Sequence, residues 1–283
     1  MITSNTSLYC VIGNPIKHSK SPLIHNYIFQ KLNVDAVYLA FEIKDIMSFF
    51  KFVRDANVKG ISVTIPHKIE SIKYLDETEQ IIGKIKAINT VKNKDGKLIG
   101  YNTDIVGVIK AFESNGIKSL KGKTSLILGS GGVARAVIWA LMEMGTESII
   151  IAGRTPEKTE ELKNEVLLHE VTPHSKSVEV INISRVSEII KNIDVIANCT
   201  PVGMTPNTEE SSIDTKLINE KHIVFDTIYT PKETKLIKDS KSAGAKTILG
   251  IDMFIFQALE QDKIWLETEK VFDYKDDIEN IIL

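Results

Sequence analysis

The sequence predicts an α/β protein with two domains, the second of which is built on a doubly wound parallel sheet. Short runs rich in β-branched residues alternate with helical patterns along the chain, which is typical of α/β folds. In the second half of the chain the apolar runs are continuous, as expected of parallel strands buried on both faces. A length of 283 residues is sufficient for two domains of ordinary size.

The predicted first domain begins with short strands that are separated by helical segments. Pro66 ends one of these strands because proline lacks a backbone N–H, and the dipeptide Asp95–Gly96 predicts a tight hairpin turn. The predicted elements are, in order, strand Leu8–Gly13, a helix from Pro22, strand Val37–Ile43, helix Met47–Ala56, strand Gly60–Pro66, helix His67–Ile85 and hairpin Ala87–Asp104.

A helix from Ile105 to a glycine cap at Gly116 opens the predicted second domain. Six apolar runs follow, with mostly helical stretches between them, and we interpret them as the parallel strands. The runs are 124–129, 148–153, 178–184, 194–200, 222–229 and 246–250. The chain then finishes with a long amphipathic helix predicted over Gly250–Phe272.

Composition restricts the class of protein. Charged residues make up 25% of the chain and hydrophobic residues 43%, with a formal net charge of −2, so the composition favours neither a nucleic acid nor an anionic membrane as partner. Cys10 and Cys199 lie in apolar runs without metal-ligand spacing, which argues against a metal site and a disulfide framework. There is no signal-peptide pattern and no apolar window of membrane-spanning length. We therefore expect a reduced, soluble protein of the cytoplasm.

The loop "GNPIKHSKSP", Gly13 to Pro22, follows the first strand. Its glycine and prolines exclude a regular element, and Ser21 before Pro22 suits a helix N-cap with proline at the first helical position. A second interpretation is that Ser19 and Ser21 form a polar cradle for an oxygen-rich ligand. These ten residues alone favour the capped turn.

The glycine-rich segment "LGSGGVARA" lies between a predicted strand and a predicted helix. Gly129, Gly131 and Gly132 allow a tight turn and a close approach of the main chain to a pyrophosphate, which the helix N-terminus then stabilises. Ala134 takes the third glycine position of the motif, where a small side chain is sufficient. The segment predicts a Rossmann-type dinucleotide site.

The end of the next strand indicates which dinucleotide is bound. An NAD enzyme commonly has an acidic residue there, which accepts a hydrogen bond from the ribose 2′-hydroxyl. This chain has Arg154 and Thr155 instead, with Lys158 one helical turn further on. Because a guanidinium pairs with a 2′-phosphate, the sequence predicts a preference for NADP(H).

Three polar residues of the first domain are candidates for the chemistry. Lys68 follows a strand at a predicted helix start, where a cation is disfavoured, and Asn89 and Asp104 lie at other strand ends or loops. An amine beside a carboxylate can exchange a proton with an alcohol or ketone oxygen. The alternative is a surface lysine with two ordinary turn residues, and spacing alone does not decide between the two.

Taken together, the motifs resemble one family. "GNPIKHSKSP", "VTIPHK", "AINT", "GYNTD", "GSGGVARA", "GRT", "NCTPVGM", "DTIYTPKETKLI" and "GIDMFIFQA" occur in this order over nearly the whole chain, and they are similar to those of NADP-dependent shikimate dehydrogenases. The resemblance implies reversible reduction of 3-dehydroshikimate to shikimate, in the pathway to chorismate and the aromatic amino acids. It also implies a substrate domain of residues 1–104 plus 250–283 and an NADP domain of residues 105–249.

The resemblance implies a role for individual residues. Ser19 and Ser21 would bind the substrate carboxylate, and Lys68 and Asp104 would be the catalytic pair. Residues expected to surround the substrate ring are Thr64, Lys68, Asn89, Asp104, Tyr229 and Gln257. Residues expected to contact NADP are Gly129, Ser130, Gly131, Gly132, Val133, Arg154, Thr155 and Lys158, with Thr227 and Gly250 near its nicotinamide end. Met253 and Gln257 lie four residues apart on the last helix, so both can face the same cleft. The last helix is therefore expected to return to the first domain.

Some residues depart from the family pattern or lie outside it. Gly153 stands where the family often has Asn, and Cys199 is expected to be an apolar filler in place of Ala. His18 and His67 are interpreted as loop packing or hydrogen-bonding residues and His25 as a helix-surface residue. The alternatives left open are a quinate/shikimate dehydrogenase of broader specificity and a non-catalytic nucleotide-binding regulator. The protein is expected to be a monomer or a homodimer without a metal.

Overall fold

The structure is a computed structural model that describes residues 2–168 and 177–282. These residues form two compact units: one contains the chain up to Thr103 and from Ile255 onward, and the other contains Asp104–Phe254. The strands are β1 Ser7–Gly13, β2 Ala36–Glu42, β3 Gly60–Val63, β4 Glu77–Thr78, β5 Thr90–Lys94, β6 Lys97–Tyr101, β7 Thr124–Leu128, β8 Ser148–Gly153, β9 Ser177–Asn182, β10 Val195–Asn198, β11 Ile223–Asp226 and β12 Lys246–Ile248. The α-helices are α1 Ser21–Lys31, α2 Ile46–Asp55, α3 Gln80–Ile85, α4 Asp104–Ser114, α5 Gly132–Glu143, α6 Pro156–Leu167, α7 Val186–Ile189, α8 Lys235–Ser242, α9 Gly250–Leu266 and α10 Lys275–Ile282.

The first unit contains a mixed sheet in the order β2-β1-β3-β5-β6-β4. Strand β1 pairs in parallel with β2 and β3, whereas β5 runs antiparallel to β3 and β6. The predicted hairpin is confirmed as β5 and β6. Asp95 and Gly96 join them with φ angles of 53° and 88°, the two positive values that a tight hairpin turn requires.

The segment between β3 and β5 differs from the predicted helix over 67–85. It contains a short 3₁₀ helix, Glu70–Tyr74, followed by β4 and the short α3. The backbone of Asp76 donates to Leu98 O at 2.9 Å, and the Asp76 carboxylate accepts from Leu98 N at 2.7 Å. The chain therefore pairs with β6 at this point, which interrupts the intrahelical hydrogen bonds of a continuous helix.

The second unit contains a parallel sheet in the order β12-β11-β10-β7-β8-β9. The chain adds β8 and β9 on one side of β7 and then β10 to β12 on the other, so β7 and β10 flank the point where strand order reverses. The doubly wound prediction is therefore confirmed. Strands β10 and β11 are buried along their full length, as their continuous apolar runs predict. In sheets of this kind, ligands bind beyond the carboxyl ends of the strands at this reversal point.

The last helical segment is shorter than predicted. Helix α9 ends at Leu266, and Glu267 adopts a left-handed conformation with φ 54°, which ends the helical hydrogen-bond pattern. A 3₁₀ helix over Glu269–Tyr274 and then α10 complete the described chain. Among the residues that the structure describes, no helix has both the length and the apolar character needed to cross a membrane.

Candidate active site

The glycine-rich turn of the second unit begins directly after β7. Gly129 has φ +101°, and a Cβ added to it would lie 2.9 Å from Thr200 Cγ2 and 3.2 Å from the carbonyl oxygen of Cys199. The Gly129 N–H donates to Ala152 O on the neighbouring strand at 2.8 Å. Both the backbone angle and the neighbouring chain therefore require glycine at this position.

The next two glycines face open space. Apart from its chain neighbours and the backbone of its own helix, a Cβ added to Gly131 or Gly132 would meet no heavy atom within 4 Å. No side chain caps the N-terminus of α5. Ser130 and Val133, on either side, are half-buried, and Ala134 is fully buried. Bare N–H groups at a helix N-terminus beside glycines suit a phosphate group, so the turn fits the pyrophosphate of a dinucleotide.

The residues that select the dinucleotide follow β8. Arg154, Thr155 and Lys158 are all exposed where β8 leads into α6, so two cationic side chains are available to a ligand phosphate. A Cβ added to Gly153 would lie 2.5 Å from Thr159 Cγ2. The Thr159 methyl thus occupies the space that a side chain at position 153 would need.

Thr227 and Gly250, predicted near the nicotinamide, lie in closely packed main chain. Thr227 donates to Asn198 O from both its N–H and its hydroxyl, at 3.1 and 2.9 Å. A Cβ added to Gly250 would lie 2.4 Å from Ile228 O, which excludes a side chain. Tyr229, predicted to contact the substrate, stacks on Phe254 with ring centroids 4.3 Å apart, and burial raises its pKa.

Asp226 is a residue of this region that the sequence interpretation missed. It is fully buried at the end of β11. Its carboxylate accepts hydrogen bonds from Thr234 Oγ1 at 2.6 Å, Asn198 Nδ2 at 3.0 Å and Ile228 N at 3.1 Å. Burial raises the pKa of Asp226 to about 6, although these hydrogen bonds oppose the increase. Asp226 therefore holds the turn that carries Thr227. The sequence does contain a signal for this site, because Asn198 and Asp226 are polar residues within the otherwise apolar runs 194–200 and 222–229.

In the first unit, Asn89 is at the centre of a hydrogen-bonded group. Its Oδ1 accepts from the N–H of Thr103 and the hydroxyl of Thr90, each at 2.8 Å. Its Nδ2 donates to Thr103 Oγ1 at 2.9 Å and to Gln257 Oε1 at 3.3 Å. Asn89 and Gln257, which are 168 positions apart in the chain, are thus brought within hydrogen-bond distance.

A main-chain hydrogen bond places Lys68 beside this group. Its carbonyl oxygen accepts from Ile88 N, directly before Asn89, at 2.9 Å, and its side chain is half-buried. Lys68 is in the turn before the 3₁₀ helix Glu70–Tyr74, and the α-helix start predicted there is wrong. Thr64, half-buried, donates from its N–H to Ile12 O at 2.9 Å.

Asp104, the predicted partner of Lys68, is the first residue of α4. It directly follows Thr103, whose N–H donates to Asn89. Asp104 is buried, and the N-terminus of a helix favours a carboxylate. Asp104 and Tyr229 belong to the second unit, whereas the other predicted substrate residues belong to the first.

The two serines lie at the start of α1. Ser21 is the first helical residue rather than the N-cap, so the predicted cap is wrong: Lys20 precedes the helix without a side-chain cap. The Ser21 N–H donates to Ser19 Oγ at 3.3 Å. Ser19 is half-buried and Ser21 is buried.

The histidines and Cys199 were assigned supporting roles. His67 is buried with Nε2 2.8 Å from Ile43 O, which confirms a hydrogen-bonding residue. Cys199 is buried and burial raises its pKa, as expected of a packing residue. The surface position predicted for His25 is wrong. His25 is fully buried, and its Nδ1 lies 2.8 Å from Asp262 Oδ1. His18 is exposed.

Comparison with known proteins defines the class to which this fold and site belong. The family profile described as "Shikimate dehydrogenase substrate binding domain" matches residues 11–91, and "Shikimate / quinate 5-dehydrogenase" matches residues 111–236. The "Shikimate dehydrogenase (NADP(+))" of Bacillus cereus is 40% identical over 91% of this chain and 92% of its own.

Solved structures are also similar. A shikimate dehydrogenase in complex with NADP+ is 38% identical with a TM-score of 0.89, over 100% of this chain and 98% of its own. The shikimate 5-dehydrogenase of Listeria monocytogenes, in complex with shikimate and NAD, is 30% identical with a TM-score of 0.89 over the same shares. The chain belongs to the shikimate dehydrogenase family. The predicted family, fold class and enzyme class are confirmed, and the predicted NADP cofactor agrees with the names of these relatives.

Proposed function

We propose that this protein catalyses the NADP-dependent, reversible reduction of 3-dehydroshikimate to shikimate, a step of the shikimate pathway towards chorismate and the aromatic amino acids. The observation that carries the proposal is the hydrogen bond between the Asn89 and Gln257 carboxamides, at 3.3 Å. Lys68 lies beside them, because its carbonyl oxygen accepts from Ile88 N, the residue before Asn89. Carboxamides both donate and accept hydrogen bonds, which suits the several hydroxyl groups of a polyol ring.

The first unit is the proposed substrate domain, and Ser19 and Ser21 are the proposed carboxylate ligands. The two serines flank Lys20 in the sequence at the start of α1. The N-terminus of a helix favours an anion. The remaining proposed ring contacts are Thr64, Lys68, Asn89, Asp104, Tyr229 and Gln257. The match of residues 11–91 to a substrate-binding domain supports this assignment.

The second unit is the proposed NADP domain. Supporting observations are the uncapped N-terminus of α5, the open space over Gly131 and Gly132, and the exposed cations that follow β8. Proposed contacts are Gly129, Ser130, Gly131, Gly132, Val133, Arg154, Thr155, Lys158, Thr227 and Gly250. When bound, NADPH supplies the hydride that reduces the ketone carbon.

Lys68 and Asp104 are the proposed catalytic residues. Reduction places negative charge on the ketone oxygen, and the Lys68 ammonium is the proposed donor of the proton that neutralises it. In the oxidative direction the Lys68 amine removes that proton from the shikimate hydroxyl. The proposed role of the Asp104 carboxylate is to attract the Lys68 ammonium and hold it in position.

An assay of NADP+ reduction tests the function. We expect turnover with shikimate and NADP+, and a lower kcat/KM with NAD+, which lacks the phosphate that Arg154 would bind. Absence of turnover with shikimate would contradict the proposal, and equal efficiency with both cofactors would contradict the NADP preference. Quinate is then tested in place of shikimate, since a kcat/KM equal to that for shikimate would identify an enzyme of broader specificity.

Location and assembly complete the proposal. We place the protein in the cytoplasm as a monomer or a homodimer. The buried free thiols of Cys10 and Cys199 suit a reducing compartment. Cell fractionation followed by size-exclusion chromatography tests both statements, and a larger assembly or a membrane-bound fraction would contradict them.

A further inference from the structure

A chain of buried hydrogen bonds crosses the first unit behind Asn89. The Tyr38 hydroxyl donates to Ser62 Oγ at 2.5 Å, and Ser62 donates to Gln261 Oε1 at 2.7 Å. Gln261 Nε2 in turn donates to Thr90 Oγ1 at 2.9 Å and to Asn89 O at 3.1 Å. All five residues are buried. We call this set, Tyr38, Ser62, Gln261, Thr90 and Asn89, the Tyr38 network.

The Tyr38 hydroxyl lies at a fully buried position. Burial raises the pKa of Tyr38 well above its usual value, and the hydrogen bond with Ser62 opposes that increase. The phenol therefore stays protonated, and its hydroxyl donates into the hydrogen bonds that lead through Ser62 and Gln261 to Asn89.

A buried contact between His25 and Asp262 supports the Tyr38 ring. The imidazole of His25 stacks on the ring with centroids 4.3 Å apart, and its Nδ1 lies 2.8 Å from Asp262 Oδ1, with both side chains fully buried. His25 lies one helical turn after Ser21 on α1, and Asp262 directly follows Gln261 on α9. The pair thus connects the two helices that carry the proposed carboxylate and ring contacts.

Stability alone does not explain this pair. Nε2 of His25 and Oδ2 of Asp262 are buried without a hydrogen-bond partner among the described residues. Unsatisfied buried polar atoms are costly, and apolar groups of the same shape can replace both partners of a buried hydrogen bond with little loss of stability. A pair that is costly but connects two site-bearing helices is better suited to fixing positions than to adding stability.

We propose that the His25–Asp262 pair holds the Tyr38 ring, and that the Tyr38 hydroxyl positions Asn89 in the proposed substrate site through Ser62 and Gln261. Tyr38 is a positioning residue, because it acts on the substrate through its neighbours. The inference rests on the proposed function, since Asn89 is a proposed substrate ligand. NADP+ binding, assigned to the other unit, is not affected by the network.

Tyr38→Phe is the direct test, because it removes only the hydroxyl. We expect the KM for shikimate to rise by about fivefold to tenfold, the effect of losing one well-placed hydrogen bond, while the KM for NADP+ stays unchanged. Tyr27→Phe is the matched control. Tyr27 donates to Asp277 Oδ2 at 2.7 Å in the same unit, but the contact is exposed and outside the network. An unchanged shikimate KM in Tyr38→Phe, or an equal change in both KM values, would overturn the proposal.

Side-chain amide NMR provides a readout that needs no substrate. We expect the Gln261 NH₂ signals to shift in Tyr38→Phe and not in Tyr27→Phe, because Ser62 loses its donor and its own bond to Gln261 changes. Unshifted Gln261 signals would overturn the proposal whether or not the protein oxidises shikimate. Wild-type turnover with shikimate decides the proposed function separately.

Two substitutions of Asp262 test the supporting pair. Asp262→Asn keeps an oxygen acceptor for His25, whereas Asp262→Leu removes it. We expect Asn to retain the wild-type shikimate KM and Leu to raise it by about tenfold, with urea unfolding establishing that each variant is folded. If the Leu variant does not fold, the Asn and Tyr38→Phe variants still decide. A raised shikimate KM with Asn, or an unchanged one with folded Leu, would contradict a role for this contact.

Discussion

Substitution of Asp226 by Asn is expected to change how the stability of the protein depends on pH. The Asp226 carboxylate is fully buried and accepts hydrogen bonds from Thr234, Asn198 and Ile228. Burial raises its pKa from 3.8 to about 6. The folded protein therefore keeps a proton on this group over a pH range in which the unfolded chain has released it.

The size of the effect follows from the two pKa values. Because the folded-state pKa is the higher one, the stabilisation is fully present below about pH 4 and is lost as pH rises through about 6. The difference between 3.8 and about 6 corresponds to about 3 kcal/mol in the free energy of unfolding, of which about half falls between pH 5 and pH 8. Asn does not titrate, so the Asp226→Asn variant lacks this contribution.

Urea unfolding of the wild type and of Asp226→Asn at about pH 5 and pH 8 measures the difference. We expect the wild type to lose about 1–2 kcal/mol more than the variant between the two pH values. Asp239→Asn is the control in the same unit. Hydrogen bonds from Lys235 and Thr215 lower the pKa of Asp239, so it stays ionised throughout this range. A pH dependence identical in the wild type and Asp226→Asn would refute a raised pKa at Asp226.

Three further predictions concern the two proposed binding sites. Gly250→Ala places a Cβ 2.4 Å from a main-chain oxygen, and we expect a loss of about 1–3 kcal/mol in urea unfolding; Gly83→Ala, where an added Cβ meets nothing within 4 Å, should not destabilise. Arg154→Ala should raise the KM for NADP+ by about tenfold to a hundredfold with little effect on that for NAD+, and equal effects on both would contradict a 2′-phosphate contact. Ser19→Ala and Ser21→Ala should each raise the KM for shikimate by about tenfold, and unchanged kinetics in both would eliminate the carboxylate cradle.

The sheet of the second unit and its glycine turn could be predicted because their determinants are local in sequence. Continuous apolar runs identify strands that are buried on both faces, and such strands are parallel in α/β folds. The need for glycine at Gly129 also arises locally, from a positive φ at a strand end. The hairpin turn at Asp95–Gly96 follows from the same backbone requirement.

Other features depend on partners that are distant in the chain. His25 lies among the apolar residues Ile24, Ile28 and Phe29 on α1, and its partner Asp262 is 237 positions away, so no local pattern distinguishes a buried from an exposed histidine. The predicted helix over 67–85 has a suitable helical pattern, but Asp76 pairs with Leu98 on β6 instead. Asp226 was missed because its burial depends on pairing with the neighbouring strand β10, from which Asn198, 28 positions away, donates to its carboxylate.

The most direct test of the proposed chemistry is the kcat of Lys68→Ala for shikimate oxidation with NADP+, measured beside Lys73→Ala. Lys73 is an exposed lysine of the same unit, in the 3₁₀ helix Glu70–Tyr74. Loss of a general acid–base group commonly lowers the rate by about 10²–10⁴. We expect a decrease of that size in Lys68→Ala with a much smaller change in the KM for shikimate, and wild-type kinetics in Lys73→Ala. A Lys68→Ala variant that keeps the wild-type kcat would contradict the assignment of Lys68 as the proton donor.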